Sequence, residues 1–306
     1  MEPMHESDSS RRLPEAVMIF GCGYVGRALA CRLLREGVRV GALTRNAETA
    51  DELSALGLDP VITGDLDSTE WATKLEGDWP AVVNCVSSAG NGLEGYRKSY
   101  IDGQQAILDW AGKRRLSRYL YTSSTSVYPQ EGGLVSEDAD TSAAGPGGQL
   151  LLEAERLLVN ASAGMDRHYI LRLSGIYGPG RHHLLDQVRA GAVIPGRGDY
   201  TLNIIHLHDI VEVMVRLLAV DAPAPSGIYN LSDDMPAHKA TVMAWLADQL
   251  GVAAPVFDPS QVSPRLARRG GRMPDRVIAN GKIRQALNWA PHFPDFQAGY
   301  TALFED

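Results

Sequence analysis

A doubly wound α/β domain on a parallel sheet, joined to a smaller mixed domain, is the fold this sequence predicts. Three observations carry the prediction. From Ala16 to Thr122, short apolar runs of strand length alternate with amphipathic stretches of helix length. The first run opens directly into the loop Gly21-Cys22-Gly23-Tyr24-Val25-Gly26, and a helical pattern follows it. Small polar residues gather where later strands end, at Ser87-Ser88 and Ser123-Ser124. In such sheets ligands lie at the carboxyl ends of the strands.

Taken in order, Ala16-Val17-Met18-Ile19-Phe20 is a strand buried on both faces. After the glycine loop, Val25, Ala28, Leu29 and Leu33 share one helix face, and Gly37 is placed to end that helix. Strand, loop and helix together form a dinucleotide-binding fingerprint of the Rossmann type. Gly21 permits the tight turn, Gly23 lets the backbone approach a pyrophosphate, and Gly26 lets the helix pack close to the strand. Tyr24 and Val25 begin a helix whose N-terminus offers N–H groups and a partial positive charge to the phosphates.

A second strand, Val38 to Leu43, ends at Thr44-Arg45-Asn46. A carboxylate near this point would bind a ribose 2′-hydroxyl, whereas an arginine accommodates a 2′-phosphate. No acid is present and Arg45 follows the strand, so NADP(H) is expected in preference to NAD(H), with Thr44 and Asn46 beside it. A helix from Ala47 leads to a third strand at Val61-Ile62, closed by Gly64-Asp65-Leu66. Ala81 to Val86 is a fourth strand and Tyr119 to Thr122 a fifth, separated by a long helix over Tyr96 to Arg114. The ends Val86-Ser87 and Ser123 are expected to line the cofactor crevice.

The remaining bounds are compositional. A length of 306 residues suffices for a large core, and a net charge of −8 argues against nucleic acid or an anionic membrane as main partner. No apolar run approaches a membrane span, and the polar start lacks a signal-peptide core, so a soluble cytoplasmic protein is expected. Cys22, Cys31 and Cys85 have no metal-ligand spacing and read as small buried hydrophobes. His182-His183 and His206-Leu207-His208-Asp209 lack a third ligand at useful spacing, so no metal is expected; Asp209 reads as the N-cap of a helix from Ile210 to Val220. Residues 1–13 read as a disordered tail. Residues 14–177, rejoined by 201–231, read as the nucleotide-binding domain. Residues 178–200 and 232–306 read as the smaller substrate-side domain.

With Ser123-Ser124-Thr125-Ser126-Val127-Tyr128 the sequence resembles the short-chain dehydrogenase/reductase superfamily, in its extended, epimerase/dehydratase-like branch. The resemblance also takes in Leu171 to Gly180, Asn203 to Asp209, Gly227 to Ser232 and Leu287-Asn288-Trp289-Ala290-Pro291. It implies that Ser124 is the catalytic Ser/Thr, and that Asp65 and Leu66 flank the adenine. It places the catalytic Tyr and Lys, counted back from Glu155, at positions occupied here by Gly147 and Leu151. No realignment restores the pair: no Tyr lies between Tyr128 and Tyr169, and no Lys between Lys113 and Lys239. The pattern is similar to an atypical branch labelled nucleoside-diphosphate-sugar epimerase-like. There an arginine at the place of Arg269 holds a substrate diphosphate, with a solvated basic loop as the equal alternative; Arg181-His182-His183 opens the smaller domain and either touches substrate or cofactor phosphate or lies on solvated surface. The resemblance further implies a homodimer through the helices Tyr96 to Arg114 and Gln149 to Asn160. The apolar stripe Leu150, Leu151, Ala154, Leu157 and Leu158 fits that pairing, or equally a packing against the sheet.

The implied function is an NAD(P)-dependent oxidoreductase or epimerase acting on a small carbonyl or hydroxyl compound, such as a nucleotide sugar. Ser124 would polarise the oxygen, and the proton would come from Tyr177, His182 or ordered water. A non-redox enzyme that keeps the cofactor for structure, and a dinucleotide-sensing regulator without turnover, are the alternatives.

Overall fold

The computed structural model describes residues 11–88, 92–262 and 274–305. Five strands, β1 (Ala16–Phe20), β2 (Arg39–Thr44), β3 (Val61–Thr63), β4 (Ala81–Asn84) and β5 (Leu116–Ser124), alternate with helices. With Met165–Leu173 and Gly227–Leu231 they form one seven-stranded sheet. Its order is Gly227–Leu231, Met165–Leu173, β5, β4, β1, β2, β3. The pairings β1–β2, β1–β4, β2–β3 and β4–β5 are all parallel. The order reverses at β1, which makes the space beyond β1 and β4 the crevice of a doubly wound sheet.

Helix α1 (Tyr24–Arg35) stops as the sequence predicts. Gly37 takes φ 77°, and the N–H groups of Gly37 and Val38 return to the carbonyls of Leu34 and Leu33. Asn46 caps α2 (Ala47–Ala55), its Oδ1 accepting from the N–H groups of Glu48 at 2.8 Å and Thr49 at 3.3 Å.

The chain divides into two compact units. The first holds residues 1–122, 153–170 and 211–227; the second holds 123–152, 171–210 and 228–306. The second therefore takes in 123–152 and 171–177, which the sequence reading assigns to the nucleotide-binding part. In the first unit, β1 and β4 are buried along their whole length. Phe20 meets the rings of Trp71 and Trp110 edge-on, each at 5.4 Å. Most of the expected N-terminal tail lies outside the described residues. Arg11 and Arg12 are held rather than loose: Arg11 pairs with Glu212 at 3.3 Å, and the Arg12 carbonyl accepts from the N–H of Val220.

In the second unit the core gathers Tyr177, Leu185, Val188, Val242, Met243 and Tyr300, among others. Short parallel pairs tie its segments together, Ile204–His206 with Gly175–Tyr177 and Asp275–Ile278 with Glu131–Val135. Asp209 corrects the sequence reading. The helix begins earlier, at Leu207, and the buried carboxylate accepts from the N–H groups of His292 at 2.6 Å and Phe293 at 3.1 Å, anchoring the turn after Trp289. The helix Pro146–Ala161 already buries Leu150, Leu151, Ala154 and Leu158 within the chain. Leu157 of the same stripe is half-buried.

Candidate active site

The crevice in the first unit begins where β1 turns into α1. Gly21 has φ 82°, and a methyl group there would lie 2.4 Å from the N of Val86. Only glycine lets the two strand ends approach so closely. At Gly26 a methyl would lie 2.5 Å from the Gly21 carbonyl oxygen, so glycine is what seats α1 on the loop. Gly23 differs from both. Its φ is −83°, and a methyl there would meet nothing within 4 Å. Protein packing does not ask for glycine at Gly23. The missing side chain leaves open space in front of a helix N-terminus that has no side-chain cap, which is where a pyrophosphate sits in this type of fold. Residues and geometry fit a dinucleotide.

Of the other expected cofactor residues, Thr44, Arg45, Asn46, Asp65, Leu66, Val86 and Ser87 belong to the same unit, and Ser123 to the second. Asn84 fixes the β4 end: its Oδ1 accepts from the N–H of Val86 at 2.9 Å, and its amide donates to Gln104, which also accepts from the Tyr119 hydroxyl. Ser87 is exposed, and Arg45 extends from the end of β2 with no ion pair among the described residues. The Oγ1 of Thr44 accepts from the N–H of Asn46 at 3.4 Å, and the side-chain oxygen of Asn46 is taken up by the helix cap described above. Asp65 and Asp67 share Lys98, at 3.4 and 2.8 Å. Leu66 faces Gly103, where a methyl would be 3.1 Å from its Cδ1. Cys22 is buried and Cys85 half-buried, and burial pushes both thiols up to about 12, which keeps them protonated.

In the second unit, Ser124 heads a short turn over Thr125–Val127. Its Oγ accepts from the N–H of Ser126 at 3.2 Å, which leaves the hydroxyl proton to be donated elsewhere. Ser123 beside it is buried. The turn is braced from behind by side chains that the sequence reading did not single out. The Tyr128 hydroxyl accepts from Arg172 at 2.8 Å and donates to Asn230 at 2.7 Å. Arg276 donates to the Thr125 carbonyl at 2.8 Å. Burial raises the Tyr128 phenol and the Arg172 charge opposes that, so Tyr128 is a neutral brace.

The two expected proton donors fare differently. Tyr177 is 4 % exposed, stacked on Tyr300 at 4.9 Å, with its oxygen pressed where a side chain at Gly299 would stand. Burial drives this phenol far above its ordinary value, so the structure makes it a core residue rather than a donor. His182 is half-buried and holds Asp186 through Nδ1 at 2.9 Å, an arrangement that orients the ring. Arg181 is exposed next to a tight bridge between its own backbone and that of Gly178. Arg269 lies outside the described residues. Among the described residues there is no group of three His, Cys, Asp or Glu able to hold a metal, and no helix long and apolar enough to cross a membrane.

The sequence model of the NAD dependent epimerase/dehydratase family matches residues 17–232, a span that starts in β1 and ends just past the last strand of the sheet. The chain belongs to this family. It is thus an NAD-binding protein of the oxidoreductase or epimerase type, with a nicotinamide dinucleotide as cofactor. It is 29% identical over 289 residues to "Protein YeeZ" of Escherichia coli K12, covering 91% of this chain and 96% of that one. It is 26% identical over 267 residues to the 4-hydroxy-2-methyl-3-oxo-4-farnesyl-3,4-dihydroquinoline-1-oxide ketoreductase of Stigmatella aurantiaca, covering 82% and 78%. Among solved structures, UDP-glucuronic acid 4-epimerase from Bacillus cereus, in complex with UDP-glucuronic acid and NAD, superposes with TM-score 0.79. That match is 21% identical and covers 95% of this chain and 99% of the other, a likeness of fold. The helix Pro146–Ala161 carries Gly147 and the buried Leu151, so its first turns bring neither a phenol nor an ammonium.

Proposed function

We propose that this family member is an NADP(H)-preferring oxidoreductase or epimerase acting on a carbonyl or hydroxyl compound of the nucleotide-sugar class, with weakened acid–base chemistry. The open side of Gly23 carries the reading: the chain gives up a side chain there for no reason of its own packing. Arg45, exposed at the end of β2 with no carboxylate beside it, supports the preference for a 2′-phosphate. Ser124 takes the role of holding the substrate oxygen, because its own Oγ is already an acceptor and its proton remains to be given. When bound, the dinucleotide supplies or removes hydride. The chain's own part is to orient the reacting oxygen and to move a proton. Arg181 and Arg269 stand as candidate contacts for a substrate diphosphate.

The test has two steps. Titration of the purified protein with NADPH and NADH at fixed ionic strength is expected to favour NADPH by roughly ten- to a hundred-fold, the worth of one hydrogen bond to a charged group; equal affinities refute the preference. Single-turnover reaction with deuterium-labelled NADPH against simple carbonyl compounds, and of the oxidised cofactor with UDP-glucuronic acid and UDP-glucose, is expected to be slow. Rates on the order of 1–10³ s⁻¹, usual for enzymes, would refute the weakened chemistry. Reversible binding with no transfer at all would favour the sensing alternative, which the loss of the Tyr/Lys pair also suits.

A further inference from the structure

In the first unit the ends of β2 and β3 lie side by side. Leu43 pairs with Ile62 and Thr44 with Thr63, and the N–H of Gly64 donates to the Thr44 carbonyl at 2.9 Å. Neighbouring strands stand about 4.8 Å apart. Arg45, the residue after Thr44, and Asp65, two beyond Thr63, therefore leave the sheet from adjacent strand ends. Asp67 follows in the same turn, its N–H donating to Asp65 Oδ1 at 3.5 Å. A carboxylate at the end of β2 is what marks a preference for the unphosphorylated ribose in folds of this type. Here two carboxylates stand one strand over from that place.

Both are met by one cation. Lys98 Nζ lies 3.4 Å from Asp65 Oδ2 and 2.8 Å from Asp67 Oδ2. The backbone that carries it is unusual: a helical stretch over Gly92–Tyr96 widens into a π-helix over Arg97–Asp102 and resumes over Gly103–Ala111. Such wide turns are uncommon and occur frequently at functional sites. Gly103, directly after it, packs closely on Leu66, where a methyl would lie 3.1 Å from Cδ1, so the lysine's helix is seated on the Asp65–Asp67 turn. The hydrogen bond from Lys98 holds the Asp67 carboxyl below its ordinary value, and Asp67 holds the ammonium above its own, so both are charged at neutral pH. The side chains of Lys98, Asp65 and Asp67 are 49, 38 and 54 % exposed, and ion pairs so open to water add little to stability. Their effect falls instead on the field at the strand ends. With Lys98 the turn carries one net negative charge; without it, two.

We propose that Lys98 is a specificity-determining residue for the cofactor: by offsetting the Asp65–Asp67 pair it allows a 2′-phosphate to stand at Arg45. The inference rests on the NADP(H) preference proposed from Arg45. NADPH and NADH share every group except that phosphate, so a charge beside it acts on one and spares the other. Any part of the turn that touches the shared adenosine cancels in the ratio of the two affinities. The strand spacing puts the turn within about 10 Å of the Arg45 strand end. Loss of one positive charge at that range, against a phosphate of about two negative charges in water-exposed surroundings, amounts to about three- to ten-fold in affinity. Salt screens charges at such a separation, so the effect is largest at low ionic strength.

The experiment titrates NADPH and NADH into wild type, Lys98→Met, Lys98→Arg, Asp67→Asn and the double variant Lys98→Met/Asp67→Asn, at low and at high salt, and reads the ratio of the two affinities. Lys98→Met should lower the preference for NADPH about three- to ten-fold at low salt, with most of the loss on the NADPH side, and less at high salt. Lys98→Arg, which keeps the charge, should keep the wild-type ratio. Asp67→Asn should raise the preference by a similar factor, and in the double variant it should restore what Lys98→Met lost. Asp67→Asn leaves the lysine in place, so it carries the test even if Lys98→Met fails to fold. A purely structural lysine would weaken both dinucleotides alike and leave the ratio unchanged. A wild type that prefers NADPH, with that preference unmoved in Lys98→Met or, should that variant not fold, in Asp67→Asn, would overturn the role of Lys98 alone. Equal affinities in wild type would overturn the proposed cofactor preference and this inference together.

Discussion

Gly23 and Gly26 sit three positions apart in one loop, and a single methyl group on each is expected to have opposite consequences. In Gly26→Ala the new Cβ would lie 2.5 Å from the Gly21 carbonyl oxygen and 3.3 Å from Ile19 Cγ2. Backbone lies on the near side, so α1 must shift away from β1. Overpacking of that kind costs about 1–3 kcal/mol, partly offset by up to about 1 kcal/mol from replacing a helical glycine. A lowering of the melting temperature by a few degrees should follow, at roughly 2–4 °C per kcal/mol for a chain of this size class. In Gly23→Ala the Cβ meets nothing within 4 Å and the backbone has φ −83°. No neighbouring atom has to move, so stability should change less than in Gly26→Ala. Dinucleotide binding should fall instead, since each charge-assisted hydrogen bond to the pyrophosphate is worth about 1.5–3 kcal/mol, or ten-fold and more in affinity. The assay pairs thermal melts of both variants without cofactor with NADPH titrations. If Gly23→Ala binds within a few-fold of wild type, the open space in front of α1 is not a phosphate site and the reasoning fails.

Three further outcomes are expected. Arg45→Ala should remove most of the preference for NADPH and leave NADH affinity nearly unchanged, as read by parallel titrations at one ionic strength. Ser124→Ala should lower single-turnover transfer by about 10²–10³-fold, the usual cost of losing one donor to a reacting oxygen, with dinucleotide affinity unaltered. Asp233 is 2 % exposed, and burial, reinforced by Asp234, Asp295 and Asp209, raises its carboxyl from 3.8 to about 8. The folded state therefore keeps a proton that the unfolded chain has already lost, and stability should drain away as pH rises from about 4 to about 8. Across that window the loss approaches about 1.4 kcal/mol for each tenfold fall in proton concentration. Urea melts of Asp233→Asn should lack that slope; identical pH dependence in variant and wild type would show that the carboxyl is not raised.

Much of the dinucleotide half was legible without coordinates, because it is written locally. The alternation of apolar strand runs with amphipathic helices needs only periods of two and 3.6. Gly37 ends α1 through its own φ, and Asn46 caps α2 through bonds to residues two and three positions away. The substrate half was read less well. Asp209 has the sequence look of a helix cap, but its carboxylate is used by N–H groups of His292 and Phe293, more than eighty positions on. Tyr177 has the sequence look of a phenol beside the site, and its pairing with Tyr300 and Gly299 turns it into core. The brace of Tyr128, Arg172 and Asn230 draws on three separate segments, and no spacing rule announces it.

The sequence by itself determined the sheet class, the glycine loop and the absence of a Tyr/Lys pair, since each depends on residues near one another in the chain or on a residue type being missing. Tertiary structure alone decided which of three loop glycines answers to the protein's own packing, which residues of the apolar stripe the fold buries, and which polar groups keep a usable proton. It also revealed the π-helical turn that sets Lys98 beside Asp65 and Asp67. The physical reason is the same in each case. Burial, close approach and hydrogen-bond occupancy are properties of what surrounds a residue, and those surroundings come from segments that meet only when the chain has folded.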